Sequence, residues 1–176
     1  MKQIFTIGHS TRPLEDFLAL LGEHNIQLLV DVRTVPRSRH NPQFNIETLP
    51  NSLTDAGLDY IHLKDLGGLR KTVNDSVNSG WCSVAFRGYA DYMQTDAFTT
   101  ALDGLVALAS DKSVTIMCAE LLWWRCHRML IADALSIRDW EVIHILSAGK
   151  TQPHHLTKFA VVSGLTITYP PEAVQV

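Results

Sequence analysis

The sequence predicts an α/β fold: a doubly wound, largely parallel sheet of five strands, with a sixth open to the tail, and helices on both faces. Three observations predict it. Strand-like and helix-like segments alternate five times along the 176 residues, the pattern of a parallel sheet joined by crossover helices. Residues 27–32 form an almost wholly apolar run, as expected of a strand covered on both faces. The polar motifs fall at the ends of the strand-like runs, the edge at which open α/β sheets bind ligands. Several strand orders fit this alternation.

Residues 3–7 alternate, are β-rich, and stop at Gly8-His9-Ser10. A helix follows: Pro13 suits its first turn, Glu15 and Asp16 favour the positive end of its dipole, and Leu14, Phe17, Leu18 and Leu21 make one buried stripe. The second strand, residues 27–32, runs into Arg33 and a long loop over 34–44 that carries Pro36 and Pro42 and has no periodicity. Residues 46–56 read as a helix stopped by Gly57, and 58–63 as a third strand. The polar stretch 71–80 receives no regular structure. Phe86, Tyr89, Ala90 and Met93 have helical spacing and predict a short helix bearing Arg87 and Tyr92. Asp96 is the expected cap of the next helix, whose Phe98, Leu102, Leu105, Val106 and Ala109 form its buried stripe. Residues 113–117 are the fourth strand, 125–137 a helix, and 140–146 the fifth strand. The tail, 149–176, is expected to pack as an edge extension, with an alternating strand at 165–169 before Pro170-Pro171.

A chain of this length with 46% hydrophobic residues can bury roughly two-thirds of the surface its unfolded form exposes. Residues 1–176 are therefore read as a single domain that needs neither metal nor disulfide. No run approaches the roughly 20 apolar residues of a membrane span, and Met1-Lys2-Gln3 leads into a strand instead of a signal peptide. A cytoplasmic location is the expectation. Cys82, Cys118 and Cys126 are an odd number of thiols in a reducing compartment, which argues against a disulfide framework. A formal net charge of -3 gives no global attraction to nucleic acid, so an anionic partner must be recognised by a local cluster.

His9 and Ser10 follow the first strand, Asp31 and Arg33 close the second, residues 64–70 follow the third, and Cys118 and Glu120 end the fourth. In a parallel sheet these positions share one edge, which predicts one site. The motifs are Thr6-Ile7-Gly8-His9-Ser10, Leu29-Val30-Asp31-Val32-Arg33 with Pro36-Arg37-Ser38, and His62-Leu63 with Leu66-Gly67-Gly68. Gly88-Tyr89 with Tyr92-Met93, and Cys118-Ala119-Glu120 followed by Cys126-His127-Arg128, complete them. Over about residues 3–147 the set resembles the bacterial and archaeal family domain of unknown function 488, whose name carries no activity. One departure lies between Glu120 and Cys126, where the family pattern is usually polar, often with a proline, and this chain has Leu121-Leu122-Trp123-Trp124-Arg125. The pocket wall or a partner surface is expected to differ there.

Arg33, Arg37, Arg39, Arg70, Arg87 and Arg128 all lie in or beside the motifs. Guanidinium forks hold phosphate or carboxylate bidentately, so an arginine-rich pocket for a small anionic ligand, a nucleotide or a nucleic-acid end is expected. Structural ion pairs with Asp31, Asp65, Asp91 and Glu120 are the competing role, and a mixture is the expectation. Cys126, at a helix start beside Arg125, His127 and Arg128, is placed for a lowered thiol pKa and nucleophilic attack. It competes with a role as a small buried hydrophobe, as does Cys118, expected at the ligand site. A reversible bond between the two depends on geometry.

Glu120 is a strand-end carboxylate suited to nucleophile or general base, or else to holding Arg128. His9 and His127 are acid–base candidates, with structural hydrogen bonding as the alternative. Ser10, Asp31, Tyr89 and Tyr92 complete the expected ligand contacts. Tyr89, Tyr92, Trp81 and Phe44 offer ring faces to a base or sugar, or else pack the core. No metal site is expected, because adjacent Cys126 and His127 point to different helix faces and their spacing matches no zinc framework. His154-His155 reads as surface tail, Cys82 as incidental, and Trp123-Trp124, if exposed, as a homodimer patch. No cofactor is identified. The expected function is an enzyme of transferase or hydrolase type acting on a phosphorylated or nucleotide-like ligand; a non-catalytic anion, metal or redox sensor is the alternative.

Overall fold

The computed structural model describes residues 2–171. Five strands run parallel: β1 (Gln3–Gly8), β2 (Leu28–Asp31), β3 (Asp59–His62), β4 (Val114–Cys118) and β5 (Glu141–Ser147). With the antiparallel β6 (Lys150–Pro153) they form a six-stranded sheet in the order β3-β2-β4-β1-β5-β6. Helices α1 (Leu14–Glu23) and α2 (Leu49–Asp55) cover one face. Helices α3 (Val84–Tyr92), α4 (Asp96–Asp111) and α5 (Arg128–Ser136) cover the other. The α/β class read from the alternation is the observed one.

The sheet order explains where a site can form. β1 and β4 are neighbours in register, Gly8 opposite Cys118, yet the chain leaves β1 toward β2 on one side and leaves β4 toward β5 on the other. Connections that part in opposite directions open a crevice at the carboxyl ends of the two strands. The loops stay zipped for two residues beyond the strands, His9 N–H donating to the Cys118 carbonyl and Ser10 N–H to that of Ala119, both at 3.0 Å. Gly8 is what permits this closeness, since a Cβ there would lie 2.0 Å from the Glu120 carbonyl oxygen.

Strand alternation sends Ile4, Val30, Ile116 and Val142 to the α3-α4-α5 face, and Ile7, Leu29, Met117 and Ile145 to the α1-α2 face. α1 buries Phe17, Leu20 and Leu21, each worth roughly 1.5–3 kcal/mol of transfer free energy. The cap of α4 is Thr95, not Asp96: its hydroxyl accepts from Phe98 N–H at 3.3 Å. α5 starts three residues later than its apolar pattern suggests. Trp123–Arg125 closes a separate 3-10 turn, and Cys126 is extended (φ -141°, ψ 166°).

The polar stretch 71–80 has neither helix nor strand but is pinned from within. Asp91 accepts from Val73 N–H at 3.0 Å, Ser76 Oγ at 2.5 Å and Asn78 Nδ2 at 2.8 Å.

The tail joins the large sheet through Lys150–Pro153, not through 165–169. Thr166–Thr168 (β8) pairs instead with Val161–Ser163 (β7) in a separate two-stranded sheet. His154, expected at the surface, is buried. Its Nε2 meets Asp133 Oδ1 at 2.8 Å, with both side chains fully covered, and its Nδ1 faces His144 Nε2 at 3.1 Å. His144 Nδ1 in turn lies 2.7 Å from Thr6 Oγ1. A carboxylate only accepts, so with both rings neutral one proton arrangement fits: the Thr6 hydroxyl donates to His144, His144 to His154, and His154 to Asp133. Asp133 also accepts from the Thr157 N–H and hydroxyl and from the Tyr169 hydroxyl. Trp123 stacks on His144 at 4.0 Å and 5°. Burial pushes the His144 pKa down to about 2, so the ring is neutral.

Candidate functional site

A pocket of about 350 Å³ opens at the carboxyl ends of the strands. Of the expected site residues, Arg33, Cys118, Glu120, Cys126 and His127 line it. Apolar Val35, Leu69, Ala85 and Phe86, with Arg125, supply much of the remaining wall. Sequence reasoning misses these five as ligand contacts. They sit in loops, in the turn at Trp123–Arg125 or at the start of α3, where the helical spacing of Phe86 marks a packing face and not a ligand contact.

The chemistry centres on two sulfurs. Cys118, the last residue of β4, points to the α5 face, and Cys126 Sγ lies 3.1 Å from its sulfur. Arg128 reaches back from the first position of α5, placing Nε 3.1 Å from Cys126 Sγ and Nη2 2.5 Å from the Glu120 carbonyl. Arg128 as a whole is 1% exposed. Among the described residues it meets no carboxylate: its acceptors are Cys126 Sγ and the carbonyls of Glu120 and Leu121. A buried cation needs a compensating anion, and the Cys126 thiolate is the group in position to supply it.

The thiols divide one proton accordingly. Burial pushes Cys118 well above the ordinary thiol range, reinforced by its neighbour's sulfur. Burial also opposes ionisation of Cys126, but the hydrogen bond from Cys118, the Arg128 charge and His127 outweigh it and hold its pKa well below that range. The pair is a Cys118 thiol donating to a Cys126 thiolate. Beside the Cys118 thiol and Arg128 Nε, the Arg128 backbone N–H is a third donor, at 3.4 Å from the thiolate sulfur.

His127 is fixed by donating from Nε2 to the Val32 carbonyl at 2.9 Å. Gly68 lets the loop after β3 close over its ring, since a Cβ there would fall 2.5 Å from His127 Nδ1. Glu120 stands exposed at the rim. Its carboxylate accepts from Leu122 N–H at 3.4 Å, and it is the backbone carbonyl, not the carboxylate, that holds Arg128.

Arg33, though on the lining, turns its guanidinium to Asp31, and the remaining candidates lie outside the lining. Arg33 chelates Asp31 (Nε–Oδ1 2.9 Å, Nη2–Oδ2 2.6 Å) and donates to the Phe44 carbonyl. Tyr60 also donates to Asp31, at 2.9 Å. Arginine only donates, so His9 Nε2 accepts from Arg33 Nη1 at 3.2 Å and His9 Nδ1–H donates to the Ser10 carbonyl at 2.8 Å. Burial, partly opposed by that last bond, lowers the His9 pKa to about 4. Ser10 itself adopts φ 48°, a left-handed conformation uncommon outside glycine, held by its bond to Ala119.

Arg37 pairs with Glu47 in solvent and is 68% exposed, and Arg39 is exposed beside it. Arg70 lies 3.6 Å over the Tyr92 ring and donates to the carbonyls of Gly67 and Asp65. Arg87 donates twice to the Trp81 carbonyl. Tyr89 and Phe44 are fully buried, and Tyr92 donates to the Asp65 carbonyl. The six arginines therefore do not converge: Arg33 reaches the pocket wall, Arg128 lies behind Cys126, and the other four serve loops and surface. Of the two tryptophans, Trp123 packs on His144 while Trp124 is 46% exposed.

Among the described residues no group of three or more His, Cys, Asp or Glu side chains is placed to hold a metal ion, and no helix is long and apolar enough to cross a membrane. Comparison with curated proteins and with solved structures finds no match. The model of one family, Domain of unknown function DUF488, matches residues 13–135. That span takes in α1 through nearly all of α5, and with it Cys118, Glu120, Cys126 and Arg128; the chain belongs to the DUF488 family.

Proposed function

We propose that the pocket is the active site of a thiol-dependent enzyme, of transferase or hydrolase type, in which Cys126 attacks an electrophilic centre on a small anionic substrate. The observation that carries this reading is the buried Arg128 guanidinium whose anionic partner is a sulfur at the pocket wall. A thiolate held ionised near neutral pH is a nucleophile before any substrate arrives. Arg125 supplies positive charge on the lining, that of Arg33 being matched by Asp31, and Phe86 with Leu69 offers apolar surface to a sugar or base. The substrate class this favours is phosphorylated or nucleotide-like. Glu120, free at the rim, is the group to activate the water or acceptor that releases the covalent intermediate, while His127 orients the Cys126 segment. His9, with both ring nitrogens engaged, holds Arg33 in place.

Alkylation tests the site without a known substrate. The ratio of iodoacetate to iodoacetamide rates at Cys126 should exceed that of free cysteine, because the negative reagent is drawn in. A ratio below that of free cysteine removes the anion site. In a screen of phosphate esters and nucleotides, Cys126→Ser should abolish turnover and Glu120→Gln should slow it; full turnover by Cys126→Ser ends the nucleophile assignment.

A further inference from the structure

The proposed enzyme uses one sulfur, and the structure holds two. Cys118 lines the pocket beside Cys126 but is only 3% exposed, and its Sγ lies 3.1 Å from that of Cys126. Nothing in nucleophilic attack on an ester requires a second thiol at that distance. A resolving partner does. We propose that Cys126 and Cys118 form a two-electron dithiol–disulfide couple that reduces hydroperoxides, with Cys126 the attacking thiol and Cys118 the resolving one.

The roles follow from access and charge. Cys126 is partly exposed on the pocket wall, with the Arg128 guanidinium against its sulfur, whereas Cys118 is almost fully buried and, among the described residues, has no cation at hydrogen-bond distance. The pocket mouth favours an organic hydroperoxide, since Val35, Leu69 and Ala85 are exposed there and Phe86 closes one side. Cys126 thiolate attacks the terminal peroxide oxygen, the O–O bond breaks, and the leaving alkoxide takes a proton from water to become an alcohol. Cys126 is then a sulfenic acid. Cys118 sulfur attacks Cys126 sulfur, the S–S bond forms, and the departing hydroxide takes the Cys118 proton and leaves as water. An external dithiol returns the pair to two thiols and becomes a disulfide itself.

The inference shares with the proposed function the thiolate of Cys126, and its test is separate. Full-length Cys82→Ser protein, reduced and freed of reductant, is exposed to cumene hydroperoxide and then to N-ethylmaleimide, and its intact mass is measured. The expected product is a monomer about 2 Da lighter that takes up no maleimide, with dithiothreitol restoring two reactive thiols. Cumene hydroperoxide should be consumed over many turnovers when dithiothreitol is present. A Cys118→Ala variant in the same background should stop at a sulfenic acid that dimedone traps. If that variant does not fold, the Cys82→Ser measurement decides alone. Uptake of two maleimides after peroxide, a covalent dimer, or consumption that ends after one equivalent overturns the couple. Cys126 that alkylates as a thiolate while no internal disulfide forms rejects this inference and leaves the proposed function standing. A disulfide that forms although iodoacetate is disfavoured does the reverse.

Discussion

The Asp133 cluster and the Cys126 cluster share one face of the sheet and both hang on the α5 region, yet their hydrogen-bond accounts close differently. Asp133 accepts from four donors, on His154, Thr157 and Tyr169, and the chain of donors ends at Thr6 with no ring nitrogen left over. Arg128 faces two carbonyls and a sulfur instead of a carboxylate. A fully satisfied cluster rigidifies. A buried cation whose counter-charge is a thiolate at a pocket wall concentrates reactivity there. The difference teaches that burial of polar groups does not by itself mark a site; under the proposed function, what marks it is a charge left to a reactive partner.

The largest effect expected is at the closed cluster. Asp133→Ala leaves His154 and Thr157 without their acceptor in the interior, and should cost about 3–5 kcal/mol of stability in urea unfolding. A loss below about 1 kcal/mol would mean that the cluster is not the structural half of the pair. Next comes pH. Unfolded His9 takes up a proton near 6.5, whereas the folded ring does so only near 4; between those values the unfolded state binds more protons, so stability rises with pH. His9 therefore contributes stability that is present above pH 6.5 and lost as pH falls toward 4, at most about 3 kcal/mol from a shift of this size. His144, lowered to about 2, adds to the same slope. Urea midpoints at pH 7, 5.5 and 4.5 check this, and His9→Asn should flatten part of the slope; an unchanged slope would show that the ring is not held neutral.

Arg128→Met should move the midpoint of Cys126 alkylation up toward the free-thiol value of about 8.5 and slow alkylation at pH 6.5 by about tenfold or more. Arg128→Lys should recover part of that rate. Equal rates in all three proteins would leave the thiolate without its counter-ion. Smallest is Arg37→Ala, whose pair with Glu47 is exposed. It should change stability by about 0–1 kcal/mol and leave the alkylation rate within about twofold; a larger drop would bring Arg37 into the site.

The five parallel strands were legible because their apolar runs are short and separated by helical stripes, and the edge that carries the site follows from where those runs stop. Cys118, Glu120, Cys126, His127 and Arg33 could be placed there for that reason. The separation of the arginines was not legible. Arg70, Arg87 and Arg128 are held by main-chain carbonyls of Asp65, Gly67, Trp81 and Glu120, and a carbonyl has no letter in the sequence. His154 escaped because its partners arrive from β5 and α5 only after the chain turns back at Gly149 (φ 64°). One signal was present: His144 interrupts the apolar run from Val142 to Ile145, and Asp133 the apolar side of α5. A charge or an imidazole inside a buried stripe needs a partner from elsewhere in the chain.

The His154–Asp133 pair bears on where this molecule can be cut. The family match stops at residue 135 and begins at 13, while β1 lies at the middle of the sheet and Asp133 finds its donors at residues 154, 157 and 169. A fragment trimmed to the matched span would lack one of the two strands on which β4 is registered and every side-chain and main-chain donor that reaches Asp133 from the tail. The stretch that similarity recognises is thus shorter than the stretch over which the sheet and the Asp133 hydrogen bonds are complete, and expression boundaries are better drawn beyond Tyr169 than at the end of the likeness.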